Sequence, residues 1–261
     1  MKNFFVKLGI MLKSVNAVKN WHIPILYYFG MKDGEIVIEM KNKLKCIIRD
    51  KSDSIAFYEN FFLNTNNPTK IFEIGVEDIV IDVGAHIGTF TLNAANKAKK
   101  GKIIALEPSK ETYKILKKNI EINNFKNIIS QNIGIWKKTD EIPLYIDENE
   151  SIGNNIFQKT KKIEKINVIS ILDCIERYHL EKIDFLKMDC EGAEFEIILG
   201  MSDSTLKKIK KISMEVHGGI EKFGIDDLKT KLEKNDFLVT IKQTFVEEKL
   251  SMLYAENTNK L

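Results

Sequence analysis

The chain has 261 residues, which is enough for one large domain or for one domain with a small extension. Its 40 basic and 37 acidic residues leave a net charge of +3, and the basic residues include only two arginines, Arg49 and Arg177. Arginine makes most of the bidentate contacts to bases and phosphates, so this composition argues against a nucleic-acid partner.

The three cysteines are far apart and lack the paired spacing of a disulfide framework or a structural metal site. No apolar run reaches the length that a membrane-spanning helix needs. Lysines interrupt the apolar residues near the start, and a small-residue cleavage site is missing, which argues against a secretion signal. We therefore expect a cytoplasmic protein.

Residues 2–19 form the first predicted element, an amphipathic helix. The apolar residues of one face follow the three-four spacing of a helix: Phe4, Leu8, Met11, Val15 and Val18. The pattern leaves three interpretations open, namely packing on the main domain, a weak peripheral contact with an anionic membrane surface, and dimerisation.

Two strand-like runs follow, Glu35–Met40 and Leu44–Arg49, and they predict a hairpin. Asp53 is the predicted cap of a helix that runs to Phe62, after which a polar loop contains Pro68. These elements predict an N-terminal helical and hairpin extension over residues 1–70 and a main domain over 71–261.

Strands and helices alternate through the main domain, which predicts a mostly parallel sheet with helices on both faces. A polar stretch at 147–160 predicts a loop or an irregular hairpin. The predicted strands are 78–83, 102–107, 128–135, 142–146, 163–169, 183–188, 211–216, 237–243 and 250–254; the helices are 87–99, 108–122, 172–179, 193–199 and 225–234.

The stretch Ile79–Leu92 reads as a buried strand, a tight glycine turn and a helix start, an arrangement typical of a site for a nucleotide-like ligand. A dinucleotide fingerprint has a glycine two positions after Gly84, where its backbone approaches the pyrophosphate. This chain has His86 there, and its imidazole would crowd a pyrophosphate. A nicotinamide-dependent oxidoreductase is therefore the less favoured alternative.

Glu107 ends the next predicted strand, and a carboxylate at this position accepts hydrogen bonds from both ribose hydroxyls. A ligand with a ribose but without a tightly held phosphate fits S-adenosylmethionine. The chemistry is then methyl transfer. A methyltransferase-like binding module without catalysis is a second alternative.

Three side chains at the ends of later strands are the candidates for catalysis: Asp189, Glu191 and His217. If the acceptor is a hydroxyl, as the family resemblance described next implies, it must lose its proton, and a carboxylate or imidazole accepts it. Asp189 and His217 are the favoured proton acceptors, whereas Glu191 has the alternative role of capping the following helix. With Glu215, these groups also fit a divalent cation. A metal site remains an alternative and is not the prediction.

Three segments of the chain closely resemble the FkbM-type methyltransferases: Asp82–Gly88, Leu106–Pro108 and Leu186–Glu194, with Glu215–His217 in addition. The resemblance implies a Rossmann-like class I methyltransferase fold, whose seven-stranded sheet has an antiparallel last strand. It also implies S-adenosylmethionine as cofactor and a hydroxyl acceptor on a sugar, glycan or small metabolite.

The family pattern also assigns roles around the cofactor. Asp82 holds the methionine end or braces the loop beneath it, and Asn132 lies near the adenine. The complete cofactor set that we expect is Asp82, Gly84, Ala85, His86, Gly88, Glu107, Pro108 and Asn132.

Overall fold

The computed structural model describes residues 12–63, 65–146, 162–217, 223–243 and 250–259. Residues 2–11 of the predicted first helix and the predicted loop at 147–160 lie outside these ranges. The interpretations that depend on them, including membrane contact, stay predictions. No helix within the described residues is long and apolar enough to cross a membrane.

A seven-stranded sheet forms the centre of the main domain, in the order β11-β12-β10-β9-β3-β4-β5. Only β12 runs antiparallel to its neighbours, so the antiparallel last strand is confirmed. The strands are β3 (Ile79–Val83), β4 (Lys102–Leu106), β5 (Ile128–Gln131), β9 (Phe185–Met188), β10 (Lys211–His217), β11 (Phe237–Gln243) and β12 (Leu250–Asn257).

Helices cover both faces of this sheet. Alternate residues of the buried central strand β3 therefore pack into different hydrophobic clusters. Val80 packs with Phe90 on one face, whereas Ile81 packs with Phe195 on the other. The covering helices are α4 (Thr89–Lys97), α5 (Lys110–Asn123), α6 (Ile171–Arg177), α7 (Glu194–Gly200), α8 (Asp203–Leu206) and α9 (Ile225–Glu233). The predicted α/β class and Rossmann-like fold are confirmed.

The start of the chain contributes three described α-helices, a π-helical turn and the predicted hairpin. The first helix, α1, is described over residues 12–17. The remaining elements are α2 (His22–Tyr28), β1 (Ile36–Glu39), β2 (Lys45–Ile48), α3 (Lys51–Tyr58) and a π-helical turn (Glu59–Leu63). Apolar side chains of this segment form one cluster with Ile87, Leu92 and Ile115 of the main domain. The extension therefore packs on the loop at residues 84–88, which is the expected cofactor loop, and on helices α4 and α5. The division near residue 70 stays a prediction.

Asp53 does not cap α3, and that prediction is wrong. The cap is Asp50, whose side chain accepts a hydrogen bond from the backbone N–H of Asp53. The carboxylate of Asp53 instead pairs with Arg49, at 2.8 Å from Nε, and is fully buried. Asp50 lies three positions before Asp53, and the ion pair with Arg49 holds Asp53 away from the capping position.

The predicted strand 128–135 is also wrong as a single element, because it divides between two sheets. Its first part is β5, whereas β6 (Gly134–Ile135) joins β7 (Asp140–Ile146) and β8 (Lys162–Ile169) in a separate three-stranded sheet. Asn132 lies at the break and donates to the carbonyl oxygens of Glu107 and Pro108. The small sheet forms one wall of the cavity described next.

Candidate active site

The cavity of interest opens at the carboxyl ends of the parallel strands. The chain adds β4 and β5 on one side of β3 and later places β9 and β10 on the other. Such a switch point leaves a crevice between the loops that follow the central strands. A cavity of about 480 Å³ lies there, in the size range of small-molecule sites.

The glycine turn forms the floor of this cavity. The backbone N–H groups of Gly84 and Ala85 donate to the carbonyl of Leu106 at 3.1 and 3.0 Å. Gly84 has a φ of +69°, and a Cβ at this position would lie 1.8 Å from the carbonyl oxygen of Asp189. Only glycine therefore allows the turn after β3 to approach the turn after β9 so closely.

Asp82 lies beneath this turn rather than on the cavity wall. Its fully buried carboxylate accepts from the hydroxyl of Thr91 at 2.5 Å and lies 3.2 Å from the ammonium of Lys187. Lys187 also donates to the carbonyl oxygen of Gly84 at 2.9 Å. Of the two roles expected for Asp82, this position supports bracing of the loop.

Glu107 faces the cavity from the end of β4, as the sequence predicted for a ribose-binding carboxylate. Its two oxygens accept from the backbone N–H groups of His86 and Ser109 at 2.8 and 2.9 Å. Burial raises the pKa of Glu107 to about 7, against the effect of these hydrogen bonds. Each carboxylate oxygen keeps a lone pair for a ligand hydroxyl.

An apolar wall adjoins Glu107 and fits a planar base. It is formed by Pro108 and by side chains of the small sheet: Ile135, Trp136, Ile142, Leu144, Ile166 and Val168. Asn132 is half-buried below this wall and holds the turn there, without lining the cavity.

His86 and Gly88 complete the loop in the left-handed region, with φ values of +52° and +91°. The His86 imidazole lines the cavity, and its Nε2 lies 3.3 Å from Oδ1 of Asp53. Gly88 caps α4, and a Cβ there would lie 2.5 Å from Cδ1 of Leu116. Its role is close packing of the loop.

The three candidate catalytic residues converge on the opposite side of the cavity. One ligand atom each from Asp189, Glu191 and His217 lies within 4.8 Å of the others. Nε2 of His217 is 3.4 Å from Glu191, and its Nδ1 is 3.3 Å from the fully buried Glu194. The N-cap of α7 is Ala193, without a side-chain cap hydrogen bond, so the alternative capping role of Glu191 is not supported. Glu194 accepts from the backbone N–H of Cys190.

The surroundings of His217 bear on its predicted role. Burial lowers its pKa, but the hydrogen bond to Glu194 and the charges of Glu194, Asp189 and Glu191 outweigh burial and raise it to about 10. An imidazole protonated at neutral pH does not accept a proton. This favours Asp189 of the two expected proton acceptors, and the assignment stays a prediction.

Two further carboxylates line the cavity. Glu59 comes from the π-helical turn and Glu215 from β10. Burial and the charge of Asp189 raise their pKa values to about 7 and about 8, and Lys187 opposes both shifts. Glu215 was visible from its period-two spacing to His217. Glu59 was missed, because a lone acidic residue in an apolar run reads as a solvated helix position.

A family comparison agrees with this arrangement of loops and carboxylates. The model of the methyltransferase FkbM domain matches residues 82–239, which is more than half of the chain and includes both sides of the cavity. The chain belongs to the FkbM methyltransferase family. Its activity class is therefore methyl transfer, and the family predicted from the sequence is confirmed.

Characterised relatives are similar at low identity. Methyltransferase 1 of Beauveria bassiana is 24% identical over 190 residues, with 64% of this chain and 75% of the relative covered. Methyltransferase sdnD of Sordaria araneosa is 24% identical over 198 residues, with 63% and 75% covered. The hexuronic acid methyltransferase AglP of Haloferax volcanii is 27% identical over 147 residues, with 56% and 58% covered.

Solved structures share the fold of this FkbM-family chain. A methyltransferase FkbM from Methylobacillus flagellatus has a TM-score of 0.51 at 16% identity, and the match spans 76% of this chain but only 47% of that one. The fibrillarin pre-rRNA processing protein of Methanococcus jannaschii also has a TM-score of 0.51, at 15% identity, over 87% and 84% of the two chains. At these identities the likeness concerns the fold.

Proposed function

We propose that the protein is an S-adenosylmethionine-dependent O-methyltransferase that acts on a hydroxyl of a sugar, a glycan or another small metabolite. The observation that carries the proposal is that one cavity has Glu107 on one side and Asp189 on the other. The first is suited to a ribose and the second to an acceptor hydroxyl.

The residues of the cofactor half fit S-adenosylmethionine. Glu107 offers lone pairs for two ribose hydroxyls, and the apolar wall beside Pro108 suits an adenine. The turn at Gly84 leaves no cradle of free backbone N–H groups for a phosphate, because the N–H groups of Gly84, Ala85 and His86 are all bonded within the protein. When bound, the cofactor supplies an electrophilic methyl group.

The acceptor half supplies proximity and a proton acceptor. Asp189 is partly exposed at the cavity, where its carboxylate can accept a hydroxyl proton. Lys187, at 3.7 Å, limits the build-up of negative charge there. The similarity to a hexuronic acid methyltransferase supports a sugar acceptor.

Calorimetry with S-adenosylhomocysteine tests the cofactor assignment. We expect the wild-type protein to bind it and Glu107→Ala to bind at least tenfold more weakly. Glu111→Ala is the matched control, because this exposed residue lies in the first turn of α5 and forms an ion pair with Lys114 at 2.6 Å. A wild-type protein that binds neither S-adenosylmethionine nor its demethylated product refutes the proposal.

Transfer of a labelled methyl group to a panel of sugars and cell-wall extracts tests the acceptor class. The expected product carries a new methoxy group, which NMR identifies by its carbon shift. A product methylated on nitrogen or carbon contradicts the assignment to oxygen and leaves the cofactor assignment intact.

A further inference from the structure

We propose that Asp189, Glu191 and His217 form a binding site for a divalent cation of the Mn²⁺ or Mg²⁺ type at the acceptor side of the cavity. The role of this cation in orienting an acceptor hydroxyl rests on the proposed O-methyl transfer. Its binding does not, and is measured separately below.

The three groups have the spacing that one ion requires. Their ligand atoms lie within 4.8 Å of one another, and Glu191 and His217 approach to 3.4 Å. An ion that contacts oxygen or nitrogen at roughly 2.0 to 2.4 Å brings its ligands no further apart than about 4.8 Å. Three protein ligands leave open positions for water and for an acceptor hydroxyl.

The buried carboxylate of Glu194 is the second observation that indicates a metal ion. Its Oε1 lies 3.3 Å from Nδ1 of His217 and accepts from the backbone N–H of Cys190 at 2.8 Å. This contact turns Nε2 of His217 towards Glu191. A carboxylate that fixes one ring nitrogen while the other is available is the usual partner of a metal-bound histidine.

Glu194 is also incompletely satisfied. It is fully buried, and its Oε2 has no hydrogen-bond partner among the described residues. Burying a carboxylate in this way is costly unless positive charge lies near it. A divalent ion on the far side of His217 supplies more positive charge than a proton on the imidazole does.

Carboxylates also outnumber cationic side chains around the three ligands. Glu59 and Glu215 line the same cavity, and neither carboxylate has a side-chain hydrogen bond to another residue in the described part of the chain. The cationic side chains that act on Glu215 are His217 and Lys187. Lys187 is already engaged by Asp82 at 3.2 Å, so the carboxylates of Asp189, Glu191 and Glu194 have His217 as their remaining cationic neighbour within the described ranges, and a bound cation would offset the excess negative charge.

The ligand set indicates the kind of ion. Two carboxylates favour hard cations such as Mg²⁺ and Mn²⁺, and the single imidazole shifts the preference towards Mn²⁺. No thiolate joins the set, which argues against a structural zinc site. An ion here would bind an acceptor hydroxyl directly and lower its pKa, and Asp189, bound to the ion through one carboxylate oxygen, would accept the hydroxyl proton with the other.

Titration of the metal-stripped full chain with MnCl₂ tests the site, followed by calorimetry and by the loss of the free Mn²⁺ EPR signal. We expect one ion per chain. His217→Gln and Asp189→Asn should each weaken binding at least tenfold, and Glu194→Gln, which does not touch the ion, should weaken it by roughly 10- to 100-fold.

Glu196→Gln is the matched control, because it lies on the same helix as Glu194 and its side chain pairs with Lys137 at 2.7 Å on the surface. Its Mn²⁺ affinity should equal that of the wild type. Circular dichroism and binding of S-adenosylhomocysteine establish that each variant is folded. For any variant that fails to fold, the conservative Asp189→Glu and Glu194→Asp changes replace it.

No Mn²⁺ binding by the wild type, or binding that the ligand variants leave unchanged, overturns the inference. S-adenosylhomocysteine binding without Mn²⁺ binding contradicts the metal site and leaves the proposed function intact. Mn²⁺ binding that depends on His217, in a chain that does not bind S-adenosylhomocysteine, supports the metal site and contradicts the proposed function.

Discussion

The imidazole of His86 lies 3.3 Å from the carboxylate of Asp53, measured from Nε2 to Oδ1, and joins the cofactor loop to the N-terminal extension. Asp53 is fully buried and also holds the guanidinium of Arg49 through Nε at 2.8 Å and Nη2 at 2.9 Å. The backbone N–H of His86 is at the same time bonded to Glu107. One residue of the extension therefore helps to fix the turn that supports the expected ribose carboxylate.

Replacing Asp53 by alanine should lower both stability and cofactor affinity. The change leaves Arg49 without its buried partner, which costs about 3 kcal/mol of the free energy of unfolding. The loop around His86 loses a restraint, so S-adenosylhomocysteine should bind more weakly. Urea unfolding and calorimetry measure the two effects.

Glu233→Ala is the control for that change, because it removes an exposed ion pair with Lys229, 3.9 Å long. Surface pairs contribute at most about 1 kcal/mol. If Asp53→Ala lowers the free energy of unfolding no more than Glu233→Ala does, the contacts of Asp53 with Arg49 and His86 do not stabilise the protein.

Substitution at Gly84 distinguishes a close backbone approach from simple backbone strain. Gly84→Ala places a Cβ 1.8 Å from the carbonyl oxygen of Asp189, so the turns after β3 and β9 must separate. Gly30 has nearly the same φ, +65° against +69°, with no atom within 4 Å of the added Cβ. Gly30→Ala should cost roughly 1 to 2 kcal/mol, the usual penalty of the left-handed conformation.

Gly84→Ala should cost clearly more than Gly30→Ala and should abolish binding of S-adenosylhomocysteine. Thermal unfolding and calorimetry of both variants give the comparison. Equal destabilisation by the two changes would show that the contact with Asp189 is unimportant.

The sequence predicted the parts of the fold that depend on local pattern. The run Ile79–Val83 is β-branched on both faces, and the glycines behind it mark the turn, so strand, loop and helix follow from local rules. Glu107 was found for the same reason, since a carboxylate at the end of the next strand has a fixed place at the sheet edge. The segment from Asp189 to Glu194 added the second side of the cavity.

Features that depend on distant partners were not predictable in this way. Asp53 and Asp50 are equally good helix caps by sequence, and only the position of His86 and Arg49 in space assigns Asp53 to the ion pair. Glu59 enters the cavity because α3 continues as a π-helical turn, which no spacing rule predicts. The helix His22–Tyr28 was missed as well, because its seven residues are too few to show a clear period.

The raised pKa of Glu107 predicts how cofactor binding depends on pH. The ionised carboxylate accepts ribose hydroxyls, and burial raises its pKa in the free protein from 4.5 to about 7. Binding below pH 7 must therefore release a proton, so affinity for S-adenosylhomocysteine should fall up to tenfold per pH unit there and level off above pH 7. Glu107→Gln should bind S-adenosylhomocysteine weakly, and its affinity should not depend on pH in this way. Any pH dependence that remains in this variant comes from titration of the ligand and is subtracted from the wild-type profile.

The same shift has a consequence for folding stability. The native carboxyl of Glu107 holds its proton up to about pH 7, whereas the unfolded one loses it near its ordinary value of 4.5. The contribution of this group to stability therefore falls as pH rises through that window. Unfolding at pH 5.5 and pH 8 should show a smaller decrease for Glu107→Gln than for the wild type.

The buried pair of Asp82 and Lys187 should show strong coupling in a double-mutant cycle. Lys187 is only 5% exposed. Burial opposes its charge, but Asp82 and Asp189 outweigh this and raise its pKa, so it stays protonated. Lys187→Met leaves the carboxylate of Asp82 buried without a cation, which should cost about 3 kcal/mol or more.

Asp82→Asn combined with Lys187→Met removes both charges, and the double variant should be more stable than the two single effects predict, by about 1 to 3 kcal/mol. Urea unfolding of the four proteins gives the coupling energy. The exposed pair of Lys118 and Glu35, 2.6 Å long, is the control, and its cycle should give less than about 1 kcal/mol. Additive effects at Asp82 and Lys187 would mean that the two charges act independently and that Lys187 supports the cofactor loop through its hydrogen bond to Gly84 rather than through Asp82.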